Sequence, residues 1–248
     1  MISLARVLSA EVVKLRRTLA FWMVFIAPLV VVLLNVAMLA QRSQMFARSK
    51  EDPWALLARS VFILWGFIML PLFVTLESAL LAGLEHGERQ WQNLLALPVP
   101  RWTVFLTKLI VLGALIVAAH AVLFVGTIAG GLVAGALAPA LRLAWPVSWW
   151  RVLDVTVWTM AASPLIVVVH HWVSLRWKSF TAALGFGICA VAGGFLITQS
   201  NSWWHWYPWS WPVRAAMEHA SPIVLIAAAM ALVAATASCW DLSRREVM

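Results

Sequence analysis

Residues 85–101 read Glu85-His86-Gly87-Glu88-Arg89-Gln90-Trp91-Gln92-Asn93-Leu94-Leu95-Ala96-Leu97-Pro98-Val99-Pro100-Arg101, a short charged segment that ends at a Pro-x-Pro-Arg turn. On each side of it lies an apolar run long enough to cross a bilayer. An amphipathic helix between two membrane spans is suited to dock in a groove of a soluble protein. The pattern therefore predicts a membrane protein that works with a soluble partner.

The composition assigns the chain to the integral membrane proteins. Hydrophobic residues make up 63% of its 248 residues and charged residues only 11%, whereas about a quarter of a soluble domain is charged. The net charge of +8 is spread over loop ends, as membrane topology requires, so no nucleic-acid partner is expected. The length leaves room for about six spans in a single transmembrane domain, residues 1–248.

Apolar runs and their polar borders predict an all-α integral membrane protein with six transmembrane helices. Residues 1–17 place apolar side chains on one helical face and basic ones off it, which predicts an N-terminal interfacial helix. A coupling segment, residues 84–101, separates the second and third spans. The predicted spans cover residues 18–40, 54–83, 102–135, 151–172, 180–198 and 222–240. Two small-xxx-small pairs on the third span predict close helix packing: Gly126, Gly130, Gly131 and Gly135.

Lysine and arginine residues set the expected orientation. They are more numerous in the segments on the side of the N-terminus than in those on the opposite side. Cytoplasmic loops carry the excess of positive residues in membrane proteins. We therefore expect both termini and the coupling segment in the cytoplasm.

Motifs for catalysis are missing from the chain. It has no Gly-x-x-x-x-Gly-Lys-Ser/Thr loop, no Gly-x-Ser-x-Gly elbow and no His-Glu-x-x-His pair, so we expect no ATPase or hydrolase activity of its own. Cys189 and Cys239 lie in or beside spans and suggest no disulfide or metal site. The adjacent His170 and His171 point in different directions on a helix and are interpreted as interfacial side chains. Neither a cofactor nor a metal is expected in this chain.

Ionisable residues inside predicted spans are costly and usually functional. Glu77 and His120 are therefore candidates for a substrate pathway or its gating. For Glu77 a structural role, in which it pairs with an arginine or with backbone of a neighbouring helix, is the alternative. Asp154 and Arg59 lie close enough to an interface to pair locally.

An aromatic loop between the fifth and sixth spans holds six side chains of interest: Trp203, Trp204, His205, Trp206, Trp209 and Trp211. Tryptophan is favoured at the membrane–water interface, so an outer aromatic girdle is expected. The same rings could contact an amphipathic substrate at the outer leaflet. Alternatively, stacked rings with His205 as an axial ligand could hold a haem.

Two motifs resemble those of ABC-2 type transporter permeases. The first is Glu85…Trp91…Leu94-Leu95-Ala96-Leu97-Pro98-Val99-Pro100-Arg101…Lys108, which is similar to the loop after the second span in that family. The second is Glu11-x-x-Lys14-Leu15-Arg16-Arg17 before the first span. The length and the six-span plan agree with the family, and Trp91 resembles its bacitracin and lantibiotic-immunity branch.

The resemblance implies that residues 85–97 form a coupling helix, which docks on a separate ATPase. Trp91, Leu94 and Leu95 would be its apolar anchors, and Pro98 would stiffen the joint with the third span. The expected coupling residues are Glu85, Glu88, Arg89, Trp91, Leu94, Leu95, Pro98 and Arg101.

The implied function is that of an exporter in the plasma membrane, the bacterial inner membrane. Two copies of an ABC ATPase, which bind ATP and Mg²⁺, would drive two permease subunits, identical or homologous, within the membrane lipid. The substrate would be amphipathic or lipid-like, with an antimicrobial peptide as one candidate. The alternative is a haem-binding or haem-handling membrane protein that ligates iron through His205 or His120.

Overall fold

The computed structural model describes residues 4–15, 18–44, 49–86, 101–177, 179–200, 202–219 and 221–244. Within these ranges the regular elements are all helical and no strand occurs, so the all-α prediction is confirmed. The α-helices are α1 (Leu4–Leu15), α2 (Leu19–Gln41), α3 (Pro53–Leu64), α4 (Leu70–His86), α5 (Arg101–Leu137), α6 (Trp149–Ala161), α7 (Pro164–Arg176), α8 (Phe180–Ile197), α9 (Trp211–Glu218) and α10 (Ser221–Arg244).

The described chain contains five helices that are long and apolar enough to cross a membrane. They are α2, the continuous helix formed by α3 and α4, α5, α8 and α10. Helices α6 and α7 meet the same criteria only as a pair, and the pair is bent by 46°. By length and apolar composition the described chain thus has five candidate membrane spans, or six if the bent pair crosses as one, as in a multi-pass membrane protein.

Helices α2 and α5 form the most extensive helix pair of the described chain, and glycines on α5 permit their close approach. A Cβ atom added at Gly130 would lie 2.6 Å from Cγ1 of Val32. Five residues further along α5, a Cβ atom at Gly135 would lie 1.8 Å from the carbonyl oxygen of Leu143, in the chain that follows this helix. The small-residue spacing therefore allows backbone and side chains to pack where any larger residue would collide, as predicted.

Helices α3 and α4 are joined by a π-helical turn, Trp65–Met69. Its wider hydrogen bond runs from the amide of Leu70 to the carbonyl of Trp65, five residues back. Pro71 follows at once and has no amide hydrogen to donate to the carbonyl of Phe67. The π turn therefore lets the helix continue through a proline that would otherwise break it.

The fourth predicted span is interrupted between α6 and α7. Pro164 occupies the first turn of α7, where its missing amide hydrogen costs nothing. Ser163 ends the previous segment by donating its hydroxyl hydrogen to the carbonyl of Met160 at 2.7 Å. Pro164 lies inside the predicted span 151–172 but starts a new helix, and the pair α6–α7 is bent by 46°.

The chain after α8 folds back along that helix. The Tyr207 hydroxyl donates to the carbonyl of Ala190, which lies seven residues before the end of α8 at Ile197. At about 1.5 Å per residue this is a return of about 10 Å along the helix axis. Helix α9 then leads out to α10. The aromatic loop is therefore partly inserted between helices.

We predict that Gly135→Ala destabilises the fold by about 1–3 kcal/mol, because the new methyl group would collide with the Leu143 backbone. The matched control is Gly113→Ala on the same helix, where nothing lies within 4 Å of an added Cβ atom. This control should be neutral or stabilising by about 0.5–1 kcal/mol. Thermal unfolding in detergent, followed by circular dichroism, measures both changes. Equal melting temperatures for the two variants would contradict the proposed close packing.

Candidate functional site

The coupling segment lies mostly outside the described residues. Glu88, Arg89, Trp91, Leu94, Leu95 and Pro98 all belong to the undescribed range 87–100. Glu85 lies in the last turn of α4, and Arg101 begins α5. The structure thus shows the two helices that the segment joins, and these helices pack together through Ala82 and Phe105, with Leu175 of α7 in the same cluster.

A buried ion pair holds this end of the bundle together. The Lys108 ammonium donates to the Glu11 carboxylate at 2.8 Å and reaches the Leu81 carbonyl at 3.5 Å. Lys108 is fully buried and Glu11 is 4% exposed. Because Glu11 lies on α1, Leu81 on α4 and Lys108 on α5, one ammonium group connects three helices.

Glu11 has a second cationic neighbour on its own helix. Lys14 donates to the other oxygen of the Glu11 carboxylate at 2.9 Å. Burial by itself raises the pKa of the Glu11 carboxyl, but the ammonium groups, that of Lys108 first, outweigh it and hold the pKa below its ordinary value of 4.5. The carboxylate form is therefore favoured in the folded protein.

Both partners of this ion pair stand out in the sequence, but their contact does not. Glu11 and Lys108 each stand in a motif of the family resemblance, and 97 positions separate them. A signal was present, because a lysine inside a predicted span needs a counter-charge. Glu11 also falls on the apolar face of α1, between Leu8 and Leu15 in helical spacing.

Glu77 is fully buried, and neither oxygen of its carboxyl group has a hydrogen-bond partner within the described residues. The pairing with an arginine or with backbone, considered from the sequence, does not occur there. Three other buried polar atoms also lack a hydrogen-bond partner within the described residues: the Ser78 hydroxyl, the Ser174 hydroxyl and Nδ1 of His171. These groups on α4 and α7 are costly unless solvent or a ligand reaches them.

His120 has both ring nitrogens engaged. Its Nδ1 lies 2.9 Å from the carbonyl of Ile116 and must donate to it, while Nε2 accepts from Nε1 of Trp65 at 3.2 Å. His120 and Trp65 are both buried. This assigns the neutral Nδ1–H tautomer from the hydrogen-bond network and fastens α5 to the π turn.

His170 and His171 are buried, not interfacial, so that prediction is wrong. Trp209 donates from Nε1 to His170 Nε2 at 2.9 Å, which leaves His170 Nδ1 to donate to the Thr75 hydroxyl, also at 2.9 Å. Thr75 passes its hydrogen to the carbonyl of Pro71 at 2.6 Å. The interfacial expectation failed because the partners of these histidines come from distant elements.

The aromatic loop divides into inward and outward side chains. Trp209 is inserted beside His170 and the Phe186 ring, and Trp211 is buried. Trp203 and Trp206 are 69% and 77% exposed. Trp204 contacts the Phe67 ring. Of the tryptophans predicted to form an outer girdle, Trp203 and Trp206 are thus the ones exposed enough to contribute to it.

The haem alternative is not favoured, and one of its two proposed ligands, His120, has both ring nitrogens engaged. His120 offers no lone pair to iron, because Nε2 accepts a hydrogen bond and Nδ1 carries its proton. The His205 carbonyl accepts from Trp211 and Arg214, so its backbone is part of the packing of α9. In the described ranges no three His, Cys, Asp or Glu residues are grouped to hold a metal ion.

The ion pair predicts a specific pH dependence of stability. A carboxyl whose folded pKa is lowered stabilises the fold above its unfolded pKa, and this contribution is lost as the pH falls through the folded value. At neutral pH, Glu11→Gln should cost about 3–5 kcal/mol, since Lys108 would stay buried without its carboxylate. The difference in unfolding free energy between the parent and this variant should shrink below pH 4.5.

Thermal unfolding at a series of pH values measures that difference. The matched control is Glu51→Gln, which removes a carboxylate that pairs with Arg59 at 3.4 Å, with both side chains more than half exposed. This variant should differ from the parent by less than about 1 kcal/mol at every pH. A pH-independent effect of Glu11→Gln would contradict the ion-pair account.

Comparison with known proteins identifies the family. Residues 7–194 match the family model described as ABC-2 family transporter protein, which covers most of the chain. Neither a curated protein nor a solved structure matches the chain. Members of this family are membrane components that associate with an ABC ATPase. The chain therefore belongs to the ABC-2 transporter family and is a multi-pass membrane permease component.

Proposed function

We propose that the chain is the six-span permease subunit of an ATP-driven exporter for an amphipathic or lipid-like substrate. The observation that carries this proposal is the joint formed by α1, α4 and α5 around the Glu11–Lys108 ion pair. This joint lies at the two helix ends that residues 84–101 connect. A soluble protein that moved this segment would thus move three helices together.

The segment 85–97 is proposed to be the coupling helix. Trp91, Leu94 and Leu95 would fill a groove of the ATPase, with Glu85, Glu88 and Arg89 at the rim. ATP and Mg²⁺ would be bound by the partner, in two copies. Pro98 and Arg101 would connect the helix stiffly to α5. Because Lys108 is only seven residues from Arg101, motion of the segment would reach the buried ion pair directly.

We also propose how the helices cross the membrane and which residues belong to the substrate pathway. Helix α1 would lie in the interface of the cytoplasmic leaflet, the bent pair α6–α7 would cross as one span, and both termini would be cytoplasmic in the bacterial inner membrane. Two permease subunits would form the pathway. Glu77 is supported as a pathway or gating residue by its buried carboxyl group, which has no hydrogen-bond partner among the residues that the structure describes. His120 would serve by holding α5 to the π turn.

The proposed substrate class follows from the exposed aromatic side chains at the other end of the molecule. Trp203 and Trp206 offer rings with a polar edge to molecules in the interfacial region. Amphipathic antimicrobial peptides, as in the bacitracin and lantibiotic-immunity branch, are the first substrates to test.

We predict that the double variant Trp91→Ala, Leu94→Ala loses its ATPase partner, because two apolar anchors would be removed. The chain is purified from its native membrane in mild detergent, and co-purifying ATPase is measured by mass spectrometry and ATP hydrolysis. The control is Trp203→Ala, which removes an exposed tryptophan from the aromatic loop and should leave the complex intact. Complex formation at the parent level in the double variant would refute the coupling-helix assignment.

We predict that Glu77→Gln leaves folding intact but impairs export. Glutamine keeps the shape of the side chain and removes only the ionisable group, so stability should change by less than about 1 kcal/mol. Protection of cells against a panel of amphipathic peptides, with yield and melting temperature in parallel, measures the two effects. Glu51→Gln is again the control. Normal yield with normal protection would exclude a pathway role.

A further inference from the structure

Three buried polar atoms at the interface of α4 and α7 have no hydrogen-bond partner within the described residues: the hydroxyl oxygens of Ser78 and Ser174 and Nδ1 of His171. Ser78 and His171 have no exposed surface, and Ser174 is 3% exposed. A buried polar atom without a partner destabilises a fold, and nearly all such atoms in proteins bond to another group or to water. These three atoms therefore need a bonding partner other than the described residues.

Two contacts show how α4 and α7 are aligned. The Thr75 hydroxyl lies 2.9 Å from Nδ1 of His170, with which it shares a hydrogen bond. Further along both helices, Ala82 and Leu175 belong to one apolar cluster. The residue numbers increase from the first contact to the second on both helices, so α4 and α7 run in the same direction. Residues 76–81 of α4 therefore lie beside residues 171–174 of α7.

The three unpartnered atoms lie in this stretch, on facing sides of the two helices. Ser78 follows Thr75 by three positions and Ser174 follows His170 by four, and such spacings place two residues on one face of a helix. His171 precedes Ser174 by three positions, so these two residues are neighbours on α7. The hydroxyls of Ser78 and Ser174 thus face each other across the helix interface with His171 beside them, yet none of the three groups bonds to another.

The two serines differ from other buried hydroxyl residues on the membrane helices. Thr107, Thr127 and Ser238 each donate to the backbone carbonyl four positions earlier, at 2.9, 2.7 and 2.6 Å. A hydroxyl bonded in this way satisfies its hydrogen within its own helix. Ser78 and Ser174 make no such bond. Both hydroxyls are therefore available, as donors and as acceptors, to a molecule between α4 and α7.

His171 contributes a third group of defined chemistry. Its Nε2 lies 3.3 Å from the carbonyl oxygen of Phe105 on α5 and must donate to it, because a carbonyl oxygen only accepts. In the neutral ring Nδ1 then carries a lone pair and needs a donor. The Phe105 ring packs against the imidazole, with 4.8 Å between the ring centroids. The site between the helices thus offers two hydroxyl groups and one acceptor nitrogen.

A water molecule fits this set of groups better than an ion does. None of the three groups carries a negative charge, and the Lys108 ammonium lies within electrostatic range of the His171 ring, so a cation would be repelled. A simple anion has no hydrogen to donate to Nδ1. Water has two hydrogens and two lone pairs, so it can donate to Nδ1 and exchange hydrogen bonds with both hydroxyls. Buried waters in proteins typically make about three such bonds.

We propose that Ser78, His171 and Ser174 form a binding site for a buried water molecule, which bridges α4 and α7 and reaches α5 through the His171 ring. The bridge extends the polar contact of Thr75 with His170 by one turn along the same interface. A water-mediated hydrogen bond is nearly as favourable as a direct one, so the site stabilises this interface. It is a property of the membrane domain and does not depend on the export function.

The first test locates the water by X-ray footprinting of the full chain in lipid nanodiscs. Irradiation splits water into hydroxyl radicals, which oxidise the nearest side chains, and mass spectrometry then locates the oxidised positions. We expect oxidation of His171 or of the adjoining Phe105, although both are buried. The matched control is His120, which is 1% exposed and has both ring nitrogens bonded to protein groups, so it should stay unmodified. Oxidation of His171 should be lost in the double variant Ser78→Ala, Ser174→Ala.

The second test measures what the two hydroxyls contribute to stability. Ser78→Ala and Ser174→Ala should each lower the melting temperature in detergent by about 2–4 °C, because each removes one bond of the shared water. The double variant should lose less than the sum of the two shifts, since both substitutions act on the same water. The matched control is Ser238→Ala, which removes a buried hydroxyl bonded within its own helix and should shift the melting temperature by less than about 1 °C.

Four results would overturn the proposal. An unchanged or higher melting temperature in either single variant would show that its hydroxyl has no partner, since removing an unpaired buried group is favourable. Additive shifts would mean that the two hydroxyls have separate partners. Oxidation of His171 no stronger than that of His120 in the parent chain would exclude water at the site, even if the alanine variants failed to fold. A melting temperature that falls when choline replaces Na⁺ in the buffer, for the parent but not for the double variant, would identify a cation in place of water.

Discussion

A buried ammonium group constrains the whole end of the bundle at which the coupling segment lies. Lys108 has no exposed surface, and a charge in that position is tolerated only with a counter-charge and further polar contacts. Glu11 and the Leu81 carbonyl supply them. Helix α1 is therefore held against α4 and α5 by the requirement to neutralise one charge. Apolar packing alone would leave α1 free to slide, because hydrocarbon contacts have little directionality.

A second set of contacts between helices consists of uncharged hydrogen bonds. Trp209, His170, Thr75 and the Pro71 carbonyl form a chain in which each donor has one acceptor. This chain connects α7, α4 and the segment that folds back after α8. The two sets of contacts thus differ in chemistry. The ion pair depends on the protonation state of Glu11, and the hydrogen-bonded chain depends on the tautomer of a neutral imidazole.

The sequence was sufficient for features that depend on local patterns. Long apolar runs predicted membrane helices, and the glycine spacing on α5 predicted close packing, which the contact of Gly130 with Val32 confirms. Contacts between elements that are distant in the chain could not be predicted from the sequence. The spacing marks Glu11 and Lys108 as unusual positions, but it does not show that they contact each other, and nothing in it indicates that Trp209 is inserted beside His170. Pro164 was visible, but a proline alone does not distinguish a kink from a new helix. The coupling residues from Glu88 to Pro98 stay a prediction.

The π turn at Trp65–Met69 determines where the length of the α3–α4 helix can change without altering its contacts. A π turn is equivalent to one residue inserted into an α-helix. In an unbroken α-helix an inserted residue would rotate everything after it by about 100°, but the wider turn takes up the extra residue. The face of α4 on which Thr75 contacts His170 can therefore keep its orientation with or without that residue. A difference of one residue in length is thus tolerated at residues 65–69, whereas elsewhere in α3 or α4 it would turn Thr75 away from His170.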